Sequence, residues 1–166
     1  MRKNLSKDQE VEQSIFTSFR TKIWTKFVHA CKEFKLIDPN DKIAVCISGG
    51  KDSILTMLAL ANLRRFYPNR FELIAITLDM GLDGFDTTPL QKLCEENNVE
   101  YHVEKTHIKE IVFDIRKESN PCSLCSKMRR GALNEAAKAR GFDKVALGHH
   151  NDDVIETFFL CLLYEG

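Results

Sequence analysis

At 166 residues the chain is long enough for one domain with its own core and too short for two ordinary ones. Hydrophobic residues at 43% and charged residues at 29% exclude a disordered composition, and no apolar run approaches the roughly 18 residues of a membrane span. Lys+Arg and Asp+Glu balance at 24 each, yet residues 1–70 carry 13 basic and 7 acidic side chains and the remainder 11 and 17. A polyanion such as RNA would meet the first part, where a solvated helix face is the competing explanation. The start MRKNLSKDQEVEQ is polar and lacks the apolar stretch of a signal peptide. The expected location is the cytoplasm, without a membrane partner.

Residues 10–36 place Val11, Ile15, Phe16, Phe19, Ile23, Trp24, Phe27, Val28, Cys31 and Phe34 at spacings of three and four. That pattern predicts one amphipathic helix, stopped by the turn Asp38-Pro39-Asn40-Asp41. KIAVCIS (residues 42–48) is an apolar run of strand length, as in a strand buried on both faces. A Gly-rich turn and the helix-forming run ILTMLALANLRRF follow. The order repeats: strand 71–79, helix 88–97, strand 100–106, helix 126–140 ended by Gly141, strand 144–149, helix 152–164. Strands alternating with helices predict an α/β fold, a parallel sheet built by right-handed crossovers, with an N-terminal helix. The expected division is an N-terminal helical segment over residues 1–40 and a nucleotide-binding domain over 41–166. The final apolar run meets no cap or following element, as expected of a protein incomplete at its C-terminus.

In such a sheet ligands bind beyond the carboxyl ends of the strands. Three polar clusters fall there: Ser48–Ser53, Asp79 and Gly148–Asp153. Gly49 and Gly50 let backbone approach an anion, Ser48 and Ser53 offer hydroxyls, Lys51 a charge, and Asp52 a cap for the helix whose N-terminus faces the anion. The loop is neither a Walker A loop nor G-x-G-x-x-G, and an ordinary tight βα turn is the competing reading.

SGGKDS after a buried strand resembles the phosphate loop of the PP-loop ATP pyrophosphatases. PCSLCSKMRRGAL and KVALGHHNDDVIETFF resemble, in order and spacing, segments of the tRNA 2-thiocytidine synthetase (TtcA) family of that superfamily. The resemblance implies a Rossmann-like sheet of the adenine nucleotide alpha hydrolase (HUP) type. It also implies an ATP-dependent transferase that adenylates cytidine 32 of tRNA and replaces the C2 oxygen with sulfur. ATP would lie on Ser48, Gly49, Gly50, Lys51, Asp52 and Ser53, with Asp79 toward the nucleoside and Gly148 and His149 alongside. An Asp of the GHHNDD segment would serve the chemistry with Mg²⁺, Asp152 first and Asp153 in reserve. Lys51 and Arg129 are the further catalytic candidates. The expected partners are tRNA and a sulfur donor, a cysteine desulfurase or sulfide; a homodimer stays open. Thiouridine synthetases, lysidine synthetase and a non-catalytic nucleotide-binding module are the alternatives.

Six cysteines in a cytoplasmic chain do not read as a disulfide framework. Cys31, Cys46, Cys94 and Cys161 sit singly and are expected as small buried hydrophobes. Cys122 and Cys125 form a C-x-x-C ahead of a predicted helix. A zinc site needs four ligands that the surroundings do not offer, and a thioredoxin-type dithiol belongs after a first strand. The resemblance implies that Cys122 and Cys125 are two of three ligands to a [4Fe–4S] cluster, the third coming from a second cysteine motif past Gly166. Lys127, Arg129 and Arg130, read as lying in the first turn of their helix, suggest an anionic partner, because cations are unfavourable there.

Overall fold

The structure, a computed structural model, describes residues 7–82, 84–117 and 121–164. Residues 1–6 of the expected N-terminal segment and the last two residues lie outside that description. Strands β1 (Lys42–Cys46), β2 (Glu72–Asp79), β3 (Glu100–Lys105) and β4 (Lys144–Ala146) form one sheet in the order β3-β2-β1-β4, every pair parallel. The register sets Ala44 opposite both Ile74 and Val145, and Ile76 opposite His102. The helices are α1 (Lys7–Phe16), α2 (Thr25–Glu33), α3 (Lys51–Leu63), α4 (Thr88–Glu96), α5 (Pro121–Ala139) and α6 (Asn151–Tyr164).

Alternation along the strands divides the core into two layers. Ile43, Val45, Ile47, Leu73 and Ala75 pack with Met57 and Leu63 of α3, Cys31 of α2 and Cys94 of α4. Ala44, Ile74 and Ile76 point the other way, onto Leu133, Ala136 and Ala137 of α5. Burying each large aliphatic side chain contributes about 1.5–3 kcal/mol, so α5 is held chiefly by its last two turns. Its first turns are left to shape the carboxyl edge. α6 has no buried residue among those described, and Val154, Phe158, Phe159 and Leu163 are all more than half exposed.

Several elements differ from the sequence expectation: β1 and β4, read as running to residues 48 and 149, end at Cys46 and Ala146, where the chain turns away from its neighbours into the two loops. The single helix over 10–36 is broken: α1 ends at Phe16, and a π-helical turn, Arg20–Trp24, leads into α2. The Ser14 and Thr17 hydroxyls bond back to the carbonyls of Val11 and Gln13, at 2.6 and 2.9 Å, competing with the helix ladder. The break rephases the apolar residues so that Phe16 meets Trp24 edge-on at 4.9 Å, and it leaves Val11, Phe19 and Phe34 exposed. α5 begins at Pro121 instead of residue 126, since proline is well suited to a first helical position. Cys122 and Cys125 therefore lie inside the helix start, and Lys127, Arg129 and Arg130 fall beyond its first turn. A second π-helical segment, Glu110–Arg116, was not foreseen. Cys161, expected to be buried, is exposed on α6.

At the amino edge of the sheet Lys144 ties β4 to the segment before β1. Its Nζ donates to Asp41 Oδ2 at 2.6 Å and to Asp38 Oδ2 at 3.1 Å, while the Asp38 N–H donates to Asp41 Oδ2 at 2.7 Å. Burial pushes the Asp41 carboxyl up, but Lys144 and the Asp38 N–H outweigh it and hold it below its ordinary value. Asp41→Ala is expected to cost about 1–3 kcal/mol, read as a lower urea midpoint at pH 7. A depressed folded pKa stabilises above the unfolded value of about 3.9, and that contribution is lost as pH falls through the folded one. The gap between wild type and variant should therefore close in strong acid.

Candidate active site

β1 is the only described strand with a parallel neighbour reached by the next crossover on one side and by a later one on the other. The chain leaves β1 toward β2 and returns to place β4 on its far side, so the connections after β1 and β4 diverge. A crevice opens at such a switch point.

The Ser48–Ser53 turn forms its floor. Gly49 adopts φ +86°, which only glycine takes without strain, and Gly50 is the N-cap of α3 in extended conformation. Ser53 is buried, and its Oγ accepts the Ser48 N–H at 3.2 Å, donates to the Gly50 carbonyl at 2.9 Å and lies 3.3 Å from Ser48 Oγ. This one hydroxyl holds the turn closed. Asp52, expected as the cap, instead accepts from Lys51 Nζ at 2.8 Å, and no side chain caps α3. The Asp52 carboxylate beside it holds the Lys51 ammonium above its ordinary pKa.

Gly148, just past β4, lies directly on this turn. A Cβ at Gly148 would meet the carbonyl carbon of Asp52 and the N of Ser53 at 2.7 Å, and the Asp52 oxygen at 2.8 Å. All three are backbone atoms. The two connections thus touch main chain to main chain.

Between them and α5 lies a cleft of about 330 Å³. Its polar side is Ser48, Ser53, Ser126, Arg129, Arg130 and His149; its apolar side includes Leu78, Met80, Phe85 and Leu147. Cys46 also lines it, and burial raises its thiol pKa against the opposing charge of Arg129. A cleft with two guanidinium groups on one wall and aliphatic and aromatic groups on the other suits an anion attached to a flat apolar group. Ser126, Asn134 and Phe85 were not singled out from sequence. With α5 starting at Pro121, Ser126, Arg130 and Asn134 follow at intervals of four on one helix face, a signal hidden while 121–125 was read as loop.

The other candidates, Asp79, Asp152, Asp153, Cys122 and Cys125, do not line this cleft. Asp79 Oδ1 accepts the Gly81 N–H at 2.9 Å, in the turn after β2. Asp153 accepts the His150 N–H at 2.8 Å in the manner of a capping box, and that bond, with the two neighbouring imidazoles, holds its carboxyl below the ordinary value. Asp152 is 80% exposed, with His150 Nδ1 at 3.9 Å. Cys122 is exposed and Cys125 half-buried, both as free thiols. Among the described residues no third His, Cys, Asp or Glu joins them in a metal-ligating group. The described residues thus offer two thiols at C-x-x-C spacing and no complete metal site.

A family model described as the PP-loop domain matches residues 19–165. The chain belongs to the PP-loop family. This agrees with the resemblance read from SGGKDS, and the parallel sheet is of the expected Rossmann-like HUP type. The chain is 41% identical over 143 residues to the tRNA-cytidine(32) 2-sulfurtransferase of Acinetobacter baylyi, covering 83% of this chain and 46% of that protein. With the tRNA-cytidine(32) 2-sulfurtransferase of Aliivibrio salmonicida it shares 39% over 163 residues, 98% of this chain and 53% of the relative. It spans about half the length of the curated relatives it matches. Among solved structures it resembles the U34-tRNA thiolase NcsA from Methanococcus maripaludis, described with its [4Fe-4S] cluster. The TM-score there is 0.65 at 31% identity, covering 80% of this chain and 45% of that one.

The contact at Gly148 gives a first test of the PP-loop geometry. Gly148→Ala must displace backbone on one side or the other, at about 1–3 kcal/mol. The expected result is a melting temperature lower by several degrees. An unchanged melting temperature would show that the two connections are not in contact.

Proposed function

We propose that this PP-loop chain acts as an ATP-dependent tRNA sulfurtransferase that forms 2-thiocytidine at position 32. The observation that carries the reading is the cleft at the β1/β4 switch point. There the Ser48–Ser53 turn and the α3 N-terminus supply anion-binding groups, and Arg129 and Arg130 face them. The names of the relatives support the substrate. Residues 41–166 would form the nucleotide-binding domain, with 1–40 as a helical segment packed on it.

Phosphates of ATP would take the N–H groups of the turn and the start of α3, with Lys51 adding charge. Gly148 and His149 would border the nucleotide, and Asp79 would lie toward its nucleoside. Asp152, exposed at the start of α6, would carry Mg²⁺ on its carboxylate. The cytosine O2 attacks the α-phosphorus, the bond to the bridging oxygen breaks, and pyrophosphate leaves. A sulfide equivalent from a donor then attacks C2, and AMP departs with the former O2. Arg129 would stabilise the charge that develops on the phosphate in both steps. Cys122 and Cys125 would supply two thiolates to a [4Fe–4S] cluster, which when bound provides a place to hold sulfur. The likeness to a U34 thiolase favours one second reading, thiolation of a uridine. Nucleoside analysis of the tRNA product separates 2-thiocytidine from 2-thiouridine.

Ser53→Ala removes the hydroxyl that closes the turn. ATP affinity measured by calorimetry should fall at least about tenfold, or 1.4 kcal/mol. Wild-type affinity in this variant would take the turn out of the nucleotide site.

Two thiolates leave two irons of a cubane without protein donors. Anaerobic reconstitution of the chain should give a labile or substoichiometric brown species, absent in Cys122→Ser and Cys125→Ser. Iron, sulfide and the visible spectrum are the readouts. Stoichiometric zinc with no iron would overturn the assignment of the pair to sulfur transfer.

A further inference from the structure

The outer side of Arg20–Lys35 carries a charge pattern that neither the core nor the cleft uses. From Gln13 to Lys32 there is no Asp or Glu, while Arg20, Lys22, Lys26 and Lys32 are all exposed, and Lys35 adds a fifth exposed cation. None of the five makes an ion pair among the described residues, whereas Lys42, Lys51 and Lys144 are each paired. Trp24, Phe27, Val28 and Cys31 turn one side of this segment into the core. On a helical period Lys22, Lys26, His29 and Lys32 come out opposite. The one carboxylate there, Glu33, is engaged by His29 Nδ1 at 3.1 Å.

The end of α2 adds two further features. The Leu36 N–H donates to the Cys31 carbonyl at 3.0 Å and the Lys35 N–H to that of Lys32 at 3.3 Å, which is a Schellman turn. Its left-handed position, ordinarily glycine, is held by Lys35 at φ +48°. The turn projects Phe34, 66% exposed, and none of the aromatic contacts among the described residues involves its ring. Unpaired cations beside an open aromatic ring are the two elements of a surface for unstacked nucleic acid: phosphate neutralisation and base stacking. A membrane surface fits less well, because it needs the apolar face that this helix spends on the core.

We infer that the Arg20–Lys35 face binds RNA, with its cations on successive phosphates and Phe34 under an unstacked base. The inference rests on the tRNA reading above and adds where the RNA lies. The segment packs on the far end of α3 from the Ser48–Ser53 turn, through Trp24 on Phe66 at 5.6 Å and the Tyr67 hydroxyl on the Cys31 carbonyl at 3.4 Å. The length of α3 between them is about 20 Å at 1.5 Å per residue. That is a distance a few nucleotides of an unstacked strand can span, within reach of a single hairpin.

The test uses the chain as it stands and a labelled anticodon stem-loop RNA, with binding followed by anisotropy from 50 to 200 mM salt, on the order of the range where phosphate contacts are read. Combined Lys22→Gln, Lys26→Gln and Lys32→Gln should weaken binding at least about tenfold and flatten the salt slope by about 2–3. Phe34→Ala should weaken it about fivefold or more at an unchanged slope, since stacking is not ionic. Lys35→Gly should melt no lower than wild type, because glycine relieves the backbone, and yet lose about one unit of slope. ATP binding should be unchanged in all three. If the triple variant binds RNA like wild type while Arg129→Gln and Arg130→Gln abolish binding, the face is wrong and the tRNA reading stands. If wild type binds ATP but no RNA at the lowest salt, the tRNA reading falls with it. Preferential, lysine-dependent binding to phosphatidylserine vesicles would reassign the face to a membrane and overturn the inference.

Discussion

Parallel pairing on both sides of β1 is the constraint from which the carboxyl edge takes its shape. Because β2 and β4 flank the same strand, the helix that follows β1 and the helix that precedes β4 cover opposite faces of the sheet. α3 packs on one face and α5, which leads into β4, on the other, and the turn at Ser48–Ser53 and Gly148 lie in contact between them. Their closeness is a consequence of topology, and the glycine at 148 is what that closeness demands of the sequence.

The same alternation decides which helix carries which chemistry. α3 is buried along most of its length and offers the cleft only its N-terminus, a source of N–H groups and partial positive charge. α5 is buried only toward its C-terminal half, at Leu133, Ala136 and Ala137. Its first three turns are free to present Ser126, Arg129 and Arg130 to the cleft. A helix anchored at one end can vary its other end without touching the core.

Much of this was legible in the sequence, for identifiable reasons. Strands buried on both faces read as continuous apolar runs, and Gly49 marks a turn whose positive φ no other residue tolerates as well. The break in the N-terminal helix was not legible. It depends on two hydroxyls bonding back to carbonyls and on Trp24 finding Phe16, while the apolar spacing alone favours one continuous helix. The start of α5 was misread because proline at a first helical position looks like a breaker when only local composition is weighed. Asp52 illustrates a further limit: an acidic residue at a helix start suggests a cap, and here the adjacent lysine captures it. The switch point needed strand order, which pattern alone does not give.

The backbone contact at Gly148 also bears on how the molecule folds. It joins the turn after β1 to the turn after β4, two segments separated in the sequence by β2, β3 and α5. The closing of that long loop is an entropic cost that local helix formation cannot offset early, so the contact belongs late on the folding route. Strands β1, β2 and β3 can pair in sequence order with their helices before the cleft exists at all. Nucleotide affinity would then appear in a refolding experiment after most of the secondary structure, as the last property the chain acquires.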